Sequence, residues 1–213
     1  TNETSANNNR QAWNFGSGGV CATGEGNSVF GAGAILGGNT GSTDTGLAAQ
    51  YNVNYNNTEL VLNALVQGNS SLTHAGTGTL ILDQANTATG ALGITNAGAV
   101  VQLGTEDKAG QWAGTVLNGA GTLKIVNGAL TSAMTRAEGA TAAIVVDSAA
   151  SVNLGGTDGS MLKGITLAAG GRLTNVSGDI TVGAGATETL NLTLGADNIN
   201  QDAAGAAIID QGD

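Results

Sequence analysis

Short apolar runs recur along the middle of the chain, each entered through a glycine and followed by a polar turn. Two of them, residues 80–82 (LIL) and 100–103 (VVQL), lie within residues 76–104 and are separated by a polar corner at 86–90. Neither run is long enough for a helix, and aliphatic or β-branched residues bounded by Gly and Asn are typical of short strands. The pattern therefore predicts two strands at a step that suggests a repeat.

Aligning the runs on the residue two positions after the leading glycine produces a column of aliphatic side chains. Its members are Leu80, Val100, Leu123, Val152 and Leu173. They recur at a nearly regular step of about 20 residues, which is typical of solenoids, whose units bury their apolar faces against their neighbours. An inward aliphatic column beside a column of Gly or Ala fits stacked strands joined by similar corners. The step from Leu123 to Val152 is longer than the others and predicts a loop over residues 128–143 that leaves the stack and returns.

The same residues resemble a known repeat. Residues 76–90 (GTGTLILDQANTATG), followed by a second glycine and a strand ending in Leu103-Gly104, resemble the passenger-associated repeat of bacterial autotransporters. The preceding Ser71-Leu72-Thr73-His74 is similar to the family's lead-in, which usually has Lys at the position of His74, and residues 119–125 (GAGTLKI) form a half copy.

That resemblance covers about half of the chain and implies a fold and a location. The expected fold is all-β, a right-handed parallel β-helix with about 20 residues per rung. The resemblance also implies a protein displayed at the bacterial cell surface or secreted through the outer membrane. Contact with the membrane would then occur only through a translocator barrel, which is absent from this chain.

On this interpretation one continuous domain contains three stretches. Residues 1–66 form irregular N-terminal rungs or a cap, residues 67–200 the regular β-helix, and residues 201–213 a polar tail or linker. The alternation at 51–55 (YNVNY) predicts a half-buried strand, and 59–66 (ELVLNALV) predicts a more fully buried one. The intervening Asn-Asn-Thr could form a hairpin turn or a solenoid corner. Similar stretches in autotransporter passengers favour the corner.

Composition and charge exclude several classes of protein. Hydrophobic residues make up 41% of the chain and charged residues 10%, which opposes disorder despite 36 glycines. A net charge of −10, with six scattered basic residues, argues against binding to nucleic acid or to an anionic membrane. No apolar run approaches the ~20 residues of a membrane-spanning helix. Cys21 is the single cysteine, so an internal disulfide is excluded.

Catalytic and metal-binding patterns are weak. His74 and Cys21 are single and far apart in sequence, so we expect no bound metal and no cofactor, and we interpret His74 as a solvated or corner histidine. Pairs such as Gly76/Gly78 and Gly119/Gly121 lack the third glycine of a dinucleotide site and are interpreted as corners that need positive φ.

Acidic residues carry the remaining chemical possibility, because β-helical enzymes that cleave polysaccharides place acids on one strand face. The two predicted outward columns contain no acid; they are Ile81, Val101, Lys124, Asn153 and Thr174, and Thr79, Ala99, Thr122, Ser151 and Arg172. The acids lie instead at strand exits and in loops, at Asp83, Glu106, Asp107, Asp147, Asp158 and Asp179. We therefore expect no enzymatic activity.

The sequence thus predicts a non-enzymatic surface module, an adhesin or a stalk, whose partner is a host surface, a matrix component or a glycan. One alternative is a self-assembling filament or surface-layer subunit that binds like subunits through the open edges of its rungs. A less favoured alternative is a polysaccharide-cleaving enzyme. Trp112 could stack on carbohydrate or cap the interior of the β-helix. The candidate binding residues are Glu106, Asp107 and Trp112 in one loop and Arg136 in the other, although the acidic pair alone favours a solvated loop.

Overall fold

The structure is a computed structural model. It describes residues 50–56, 58–148, 150–167, 173–178 and 180–182, together with short strands outside these ranges. The end of the predicted regular β-helix at 183–200 lies outside the described residues. So do the predicted tail at 201–213, apart from its one strand, and Arg172 and Asp179. Within the described part there are 23 β-strands and one 3-10 helix of three residues, Gly159–Met161.

The strands are short, and most have two to six residues. In chain order they are β1 Glu3–Thr4, β2 Gln11–Ala12, β3 Val20–Ala22, β4 Ser28–Phe30, β5 Ile35–Leu36, β6 Gln50–Tyr55, β7 Glu59–Leu62, β8 Leu65–Val66, β9 Ser71–His74, β10 Thr79–Leu82, β11 Leu92–Ile94, β12 Val100–Leu103, β13 Gly110–Trp112, β14 Val116–Gly119, β15 Thr122–Ile125, β16 Gly128–Leu130, β17 Thr135–Arg136, β18 Ala143–Ser148, β19 Val152–Asp158, β20 Leu162–Leu167, β21 Leu173–Ser177, β22 Ile180–Val182 and β23 Ile209–Gln211.

Most strands belong to three parallel faces that the chain visits in turn. Face 1 contains β3, β6, β9, β11, β14 and β17, and face 2 contains β4, β7, β10, β12, β15, β18 and β20. Face 3 begins with β2, β5 and β8, and β1 pairs with β2 in the antiparallel direction. It continues, through an isolated bridge between Ala85 and Gln111, into β13, β16, β19 and β21. The chain is a parallel β-solenoid of about six stacked coils of about 21 residues, which confirms the predicted fold class.

Register aligns the buried side chains of face 2 into two inward columns. The columns are Leu60, Leu80, Val101, Leu123 and Ile144, and Leu62, Leu82, Leu103, Ile125 and Val146. Successive members of each column are separated by one coil of the chain. Parallel strands lie about 4.8 Å apart, so each coil covers the apolar side chains of its neighbour and one continuous core results.

One predicted marker is displaced by a single residue. Val100 pairs with Thr79 and Thr122 and is half-buried, whereas Val101 pairs with Leu80 and is fully buried. Val101 is therefore inward, and its predicted outward position is wrong. Two adjacent valines give no sign of which one faces the core, and a slip of one residue exchanges the two faces of a strand.

A predicted loop proves to be a regular coil. Val152 and Leu173 belong to face 3 rather than to the column of Leu123, whose next member is Ile144. Residues 128–143 hold β16, β17 and the turn into β18, so the prediction of a loop there is wrong. The sequence pattern misses this coil because β16 and β17 have only three and two residues.

The corner between β6 and β7 is a solenoid corner, as the resemblance favoured, because β6 lies in face 1 and β7 in face 2. Positive φ explains only some of the corner glycines. Gly119 has φ 94°, but Gly76 and Gly121 lie outside the positive-φ region. At Gly76 an added Cβ would lie 1.8 Å from the carbonyl oxygen of Tyr55 in the preceding coil, so glycine is required there for close backbone approach.

Candidate functional site at the Asp83 corner

The structure does not bring the four predicted binding residues together. Glu106 and Asp107 are exposed in the loop between β12 and β13. Trp112 is buried on face 3, and Arg136 lies on the last strand of face 1. Only the acidic pair occupies the kind of surface loop that the sequence predicts.

Trp112 is part of the core. Its side chain is 0% exposed, and it stands beside Leu130 in the face 3 register. The indole Nε1 has no hydrogen-bond partner within the described structure, a cost that burial of the large ring offsets. Stacking on carbohydrate is therefore wrong for this residue. The ring does occupy the solenoid interior, but from strand β13 and not from a loop.

Arg136 serves the fold. It is in register with Leu117, a member of an inward column of face 1, but its side chain remains exposed. Its Nε donates to the carbonyl oxygen of Ala142 at 2.7 Å, and its Nη2 donates to that of Met161 at 3.3 Å. The guanidinium thus joins the coil of β17 to the following coil, which explains an arginine at this position without a ligand.

His74 lies in the core at the end of β9, in register between Val53 and Ile94. It precedes a corner, but the prediction of a solvated side chain is wrong. Its Nε2 is 2.8 Å from the carbonyl oxygen of Gly78, and its Nδ1 is 3.3 Å from that of Val53. Both partners are carbonyl oxygens, which accept from whichever ring nitrogen carries a proton. The ring is inaccessible to a substrate.

A buried carboxylate lies where the chain leaves face 2 after β10. Asp83 is 5% exposed. Its Oδ1 accepts hydrogen bonds from Nδ2 of Asn63 at 2.9 Å and Nε2 of Gln84 at 3.1 Å. Its Oδ2 accepts from the same Asn63 nitrogen at 2.8 Å and from Nζ of Lys108 at 3.1 Å. We call these four residues the Asp83 corner.

The solenoid register builds this corner. Leu62 and Leu82 are paired, so the next residues, Asn63 and Asp83, occupy equivalent positions in successive coils. Asn63 can therefore present its amide to both carboxylate oxygens. Lys108 arrives from the next coil, and its side chain is 57% exposed. The ion pair is consequently solvated at one end and buried at the other.

The loop that carries Lys108 is held on both sides. Within it, the Thr105 N–H donates to the Lys108 carbonyl oxygen at 2.8 Å, and the Lys108 N–H donates to Oγ1 of Thr105 at 3.2 Å. From the following coil, Nδ2 of Asn127 donates to the carbonyl oxygen of Glu106 at 3.4 Å. These contacts leave the side chains of Glu106 and Asp107 exposed at the tip of the loop.

The Asp83 corner has little capacity for further chemistry. An ionised carboxylate offers about four lone-pair positions, and Asp83 already accepts four hydrogen bonds. Among the described residues, no group of three His, Cys, Asp or Glu side chains could hold a metal ion. The chemically available part of this region is the acidic tip, whose carboxylates can attract cationic or hydrogen-bond-donating groups.

The outer surface of face 2 mixes apolar and polar side chains. Its outward positions in the observed register are Glu59, Thr79, Val100, Thr122 and Ala143, and Val61, Ile81, Gln102, Lys124 and Val145. Glu59 extends the first column beyond the predicted alignment and adds one acid to it. Ile81 faces outward, as predicted, yet is only 4% exposed. Lys124 forms an ion pair with Asp147 at 2.7 Å.

Comparison with known proteins adds no family assignment. No protein-family model matches the chain, and searches of curated proteins and of solved structures find no match. In the described part of the chain, no helix has the length and apolar character needed to cross a membrane. Functional inference therefore depends on the solenoid and on its exposed residues.

Proposed function

We propose that this chain is a non-enzymatic section of a surface-displayed or secreted bacterial solenoid protein of the autotransporter-passenger type, acting as an adhesin or a stalk. The observation that carries the proposal is the continuous stack of parallel coils around one apolar core. Such a stack forms a stiff rod with long outer faces, which suits contact along a surface.

The passenger-type assignment is supported by the place of the repeat motif in the fold. The first copy leads into β10 through Gly76 and Gly78, and the half copy leads into β15 through Gly119 and Gly121. Both strands belong to face 2. The motif therefore recurs at one position of the coil, as a structural repeat requires.

For binding, the tip formed by Glu106 and Asp107 is the best-supported contact point. Both side chains are exposed, and the backbone that carries them is fixed by Thr105, Lys108 and Asn127. A fixed loop loses less conformational entropy when it binds. Two exposed carboxylates bind weakly on their own, so adhesion through them would depend on display in many copies.

An adhesion assay tests this proposal. The chain is displayed on bacterial cells, and attachment to panels of matrix proteins and glycans is measured for the wild type and for Glu106→Gln combined with Asp107→Asn. Glu138→Gln is the matched control, because Glu138 is an exposed acid in a turn elsewhere. We expect the double variant, but not the control, to lower attachment. Equal attachment of all three forms would remove the tip as a binding site.

Two further outcomes bear on the wider proposal. If the displayed chain attaches to no member of the panels, the stalk would be favoured over the adhesin. Turnover of a polysaccharide by the same preparation would overturn the non-enzymatic assignment. The filament hypothesis is tested separately by light scattering over a range of protein concentrations, since end-to-end assembly predicts concentration-dependent growth of particles.

A further inference from the structure

Two Asn-Gly dipeptides occur in the chain, at Asn118-Gly119 and Asn127-Gly128. In such a pair the glycine lacks a Cβ, so its backbone nitrogen can approach the preceding side-chain carbonyl with little steric hindrance. Both dipeptides lie in the described structure on either side of β15, because Asn118-Gly119 ends β14 and Gly128 begins β16. Their local environments differ, which allows one to be compared with the other.

At the first dipeptide the reacting atoms are already close. Asn118 is exposed on β14, and its Oδ1 accepts a hydrogen bond from the Gly119 N–H at 2.7 Å. Since a carbonyl bond is about 1.23 Å long, the Asn118 Cγ lies no more than about 3.9 Å from that nitrogen. Gly119 ends the strand with φ 94°, a conformation open to glycine but not to most residues.

We propose that Asn118 is a site of spontaneous deamidation through a succinimide in the folded protein. A base from the solvent removes the Gly119 amide proton, and the nitrogen forms a bond to the Asn118 Cγ. The bond from Cγ to the side-chain nitrogen breaks, and that nitrogen takes a proton from water and leaves as ammonia. Water then hydrolyses one of the two carbonyls of the five-membered ring, which leaves an aspartyl or an isoaspartyl linkage at position 118.

The second dipeptide is held in place by its neighbours. Asn127 is partly buried, and its side-chain Nδ2 donates to the carbonyl oxygen of Glu106. Its backbone N–H donates to the carbonyl oxygen of Leu103 at 3.3 Å, and its carbonyl oxygen accepts from the N–H of Gly110 at 2.9 Å. Gly128 is in register with Gly110 on face 3. Ring closure at this dipeptide requires the bond from Nδ2 to Glu106 to break first, because that nitrogen is the leaving group.

Deamidation at position 118 would have a structural consequence. The carbonyl oxygen of Gly119 accepts hydrogen bonds from the backbone of the next coil, from Thr141 at 2.9 Å and Ala142 at 3.0 Å. An isoaspartyl linkage adds one carbon to the main chain directly before Gly119. The added length displaces this oxygen and loosens the contact between the two coils.

The test is peptide mapping by mass spectrometry after incubation of the full folded chain at mildly alkaline pH, with electron-based fragmentation to identify isoaspartate. Breaking about one hydrogen bond, here that of the Asn127 side chain, corresponds to a rate difference of about tenfold. We therefore expect conversion of Asn118 to be at least about tenfold faster than that of Asn127. In denaturant the two rates should converge, because both residues are followed by glycine.

Asn118→Gln provides the matched variant, since its longer side chain would have to close a six-membered ring. Conversion at position 118 should be lost, with conversion at Asn127 unchanged. Equal rates at Asn118 and Asn127 in the folded chain would overturn the proposal. So would conversion of Asn118 only after unfolding.

Discussion

The Asp83 corner allows a prediction about which of two polar partners stabilises a buried carboxylate more. Asn63 is neutral and Lys108 is charged, yet the geometry favours Asn63. Its partly buried amide contacts both oxygens of Asp83, at 2.9 and 2.8 Å. Lys108 contacts one oxygen at 3.1 Å from a side chain that is 57% exposed.

The expected magnitudes follow from this difference in exposure. A hydrogen bond to a buried charged group contributes about 1.5–3 kcal/mol, so Asn63→Ala should lower the free energy of unfolding by that amount. A solvated ion pair contributes about 0.2–1 kcal/mol, so Lys108→Met should lower it by less. Salt screens exposed charges, so raising the ionic strength should shrink the effect of Lys108→Met and leave that of Asn63→Ala nearly constant.

Urea unfolding followed by far-ultraviolet circular dichroism measures these differences. A double-mutant cycle with Asn63→Ala and Asp83→Ala isolates the interaction between the two side chains, and we expect a coupling energy of about 1–3 kcal/mol. A coupling energy near zero would refute the argument. A larger loss of stability from Lys108→Met than from Asn63→Ala would refute it as well.

Three further perturbations test other parts of the structure in urea unfolding. Leu123→Asp places an unpaired charge in the core and should lower stability by more than about 4 kcal/mol, whereas the outward Thr122→Asp should change it by about 0.5 kcal/mol or less; equal effects would contradict the register. Trp112→Ala should lower the free energy of unfolding by about 3–5 kcal/mol. Trp112→Phe should lower it much less, because it keeps a packed ring and removes the unpartnered N–H. Similar losses for the two variants would argue against ring packing as the main contribution. Hydrogen bonds from Ser160, first from its backbone N–H and then from its side chain, lower the pKa of Asp158. Ionised Asp158 therefore stabilises the fold above its unfolded pKa, and this stabilisation is lost as pH falls through the folded pKa. The stability deficit of Asp158→Asn should therefore shrink on acidification, and a deficit that grows would exclude this assignment.

The fold was accessible from the sequence because strands and corners have separate signatures. An aliphatic residue at a fixed distance from a leading glycine identified Leu80 and Leu123, which do lie in one inward column. The signature fails where its chemical contrast is weak. Val100 and Val101 are identical, so the sequence alone does not show which faces the core, and pairing with Leu80 decides it.

The polar contacts were harder to predict because their partners lie about one coil away. Arg136 binds the carbonyl oxygen of Met161, 25 residues later, and His74 approaches that of Val53, 21 residues earlier. Side-chain type does not encode such contacts. One signal was present, however: Asn63 and Asp83 each follow a paired leucine, and aligning those two strands would have predicted their contact.

Corner lengths show why a constant repeat length can conceal a projecting loop. Between aligned positions of faces 2 and 3, the chain takes a much longer path after Leu103 than after Leu82 or Ile125. A shorter turn from face 1 to face 2 compensates, because fewer residues separate Leu117 from Leu123 than separate the equivalent Leu92 from Val101. The length of the coil consequently stays nearly constant while one corner projects.

Lys108 accounts for part of that projection by reaching Asp83. The exposed acids Glu106 and Asp107 are different, because their carboxylates have no hydrogen-bond or ion-pair partner among the described residues. Water can solvate both carboxylates, so the attachment measured for the combined Glu106→Gln and Asp107→Asn variant decides between a solvated loop and a binding tip.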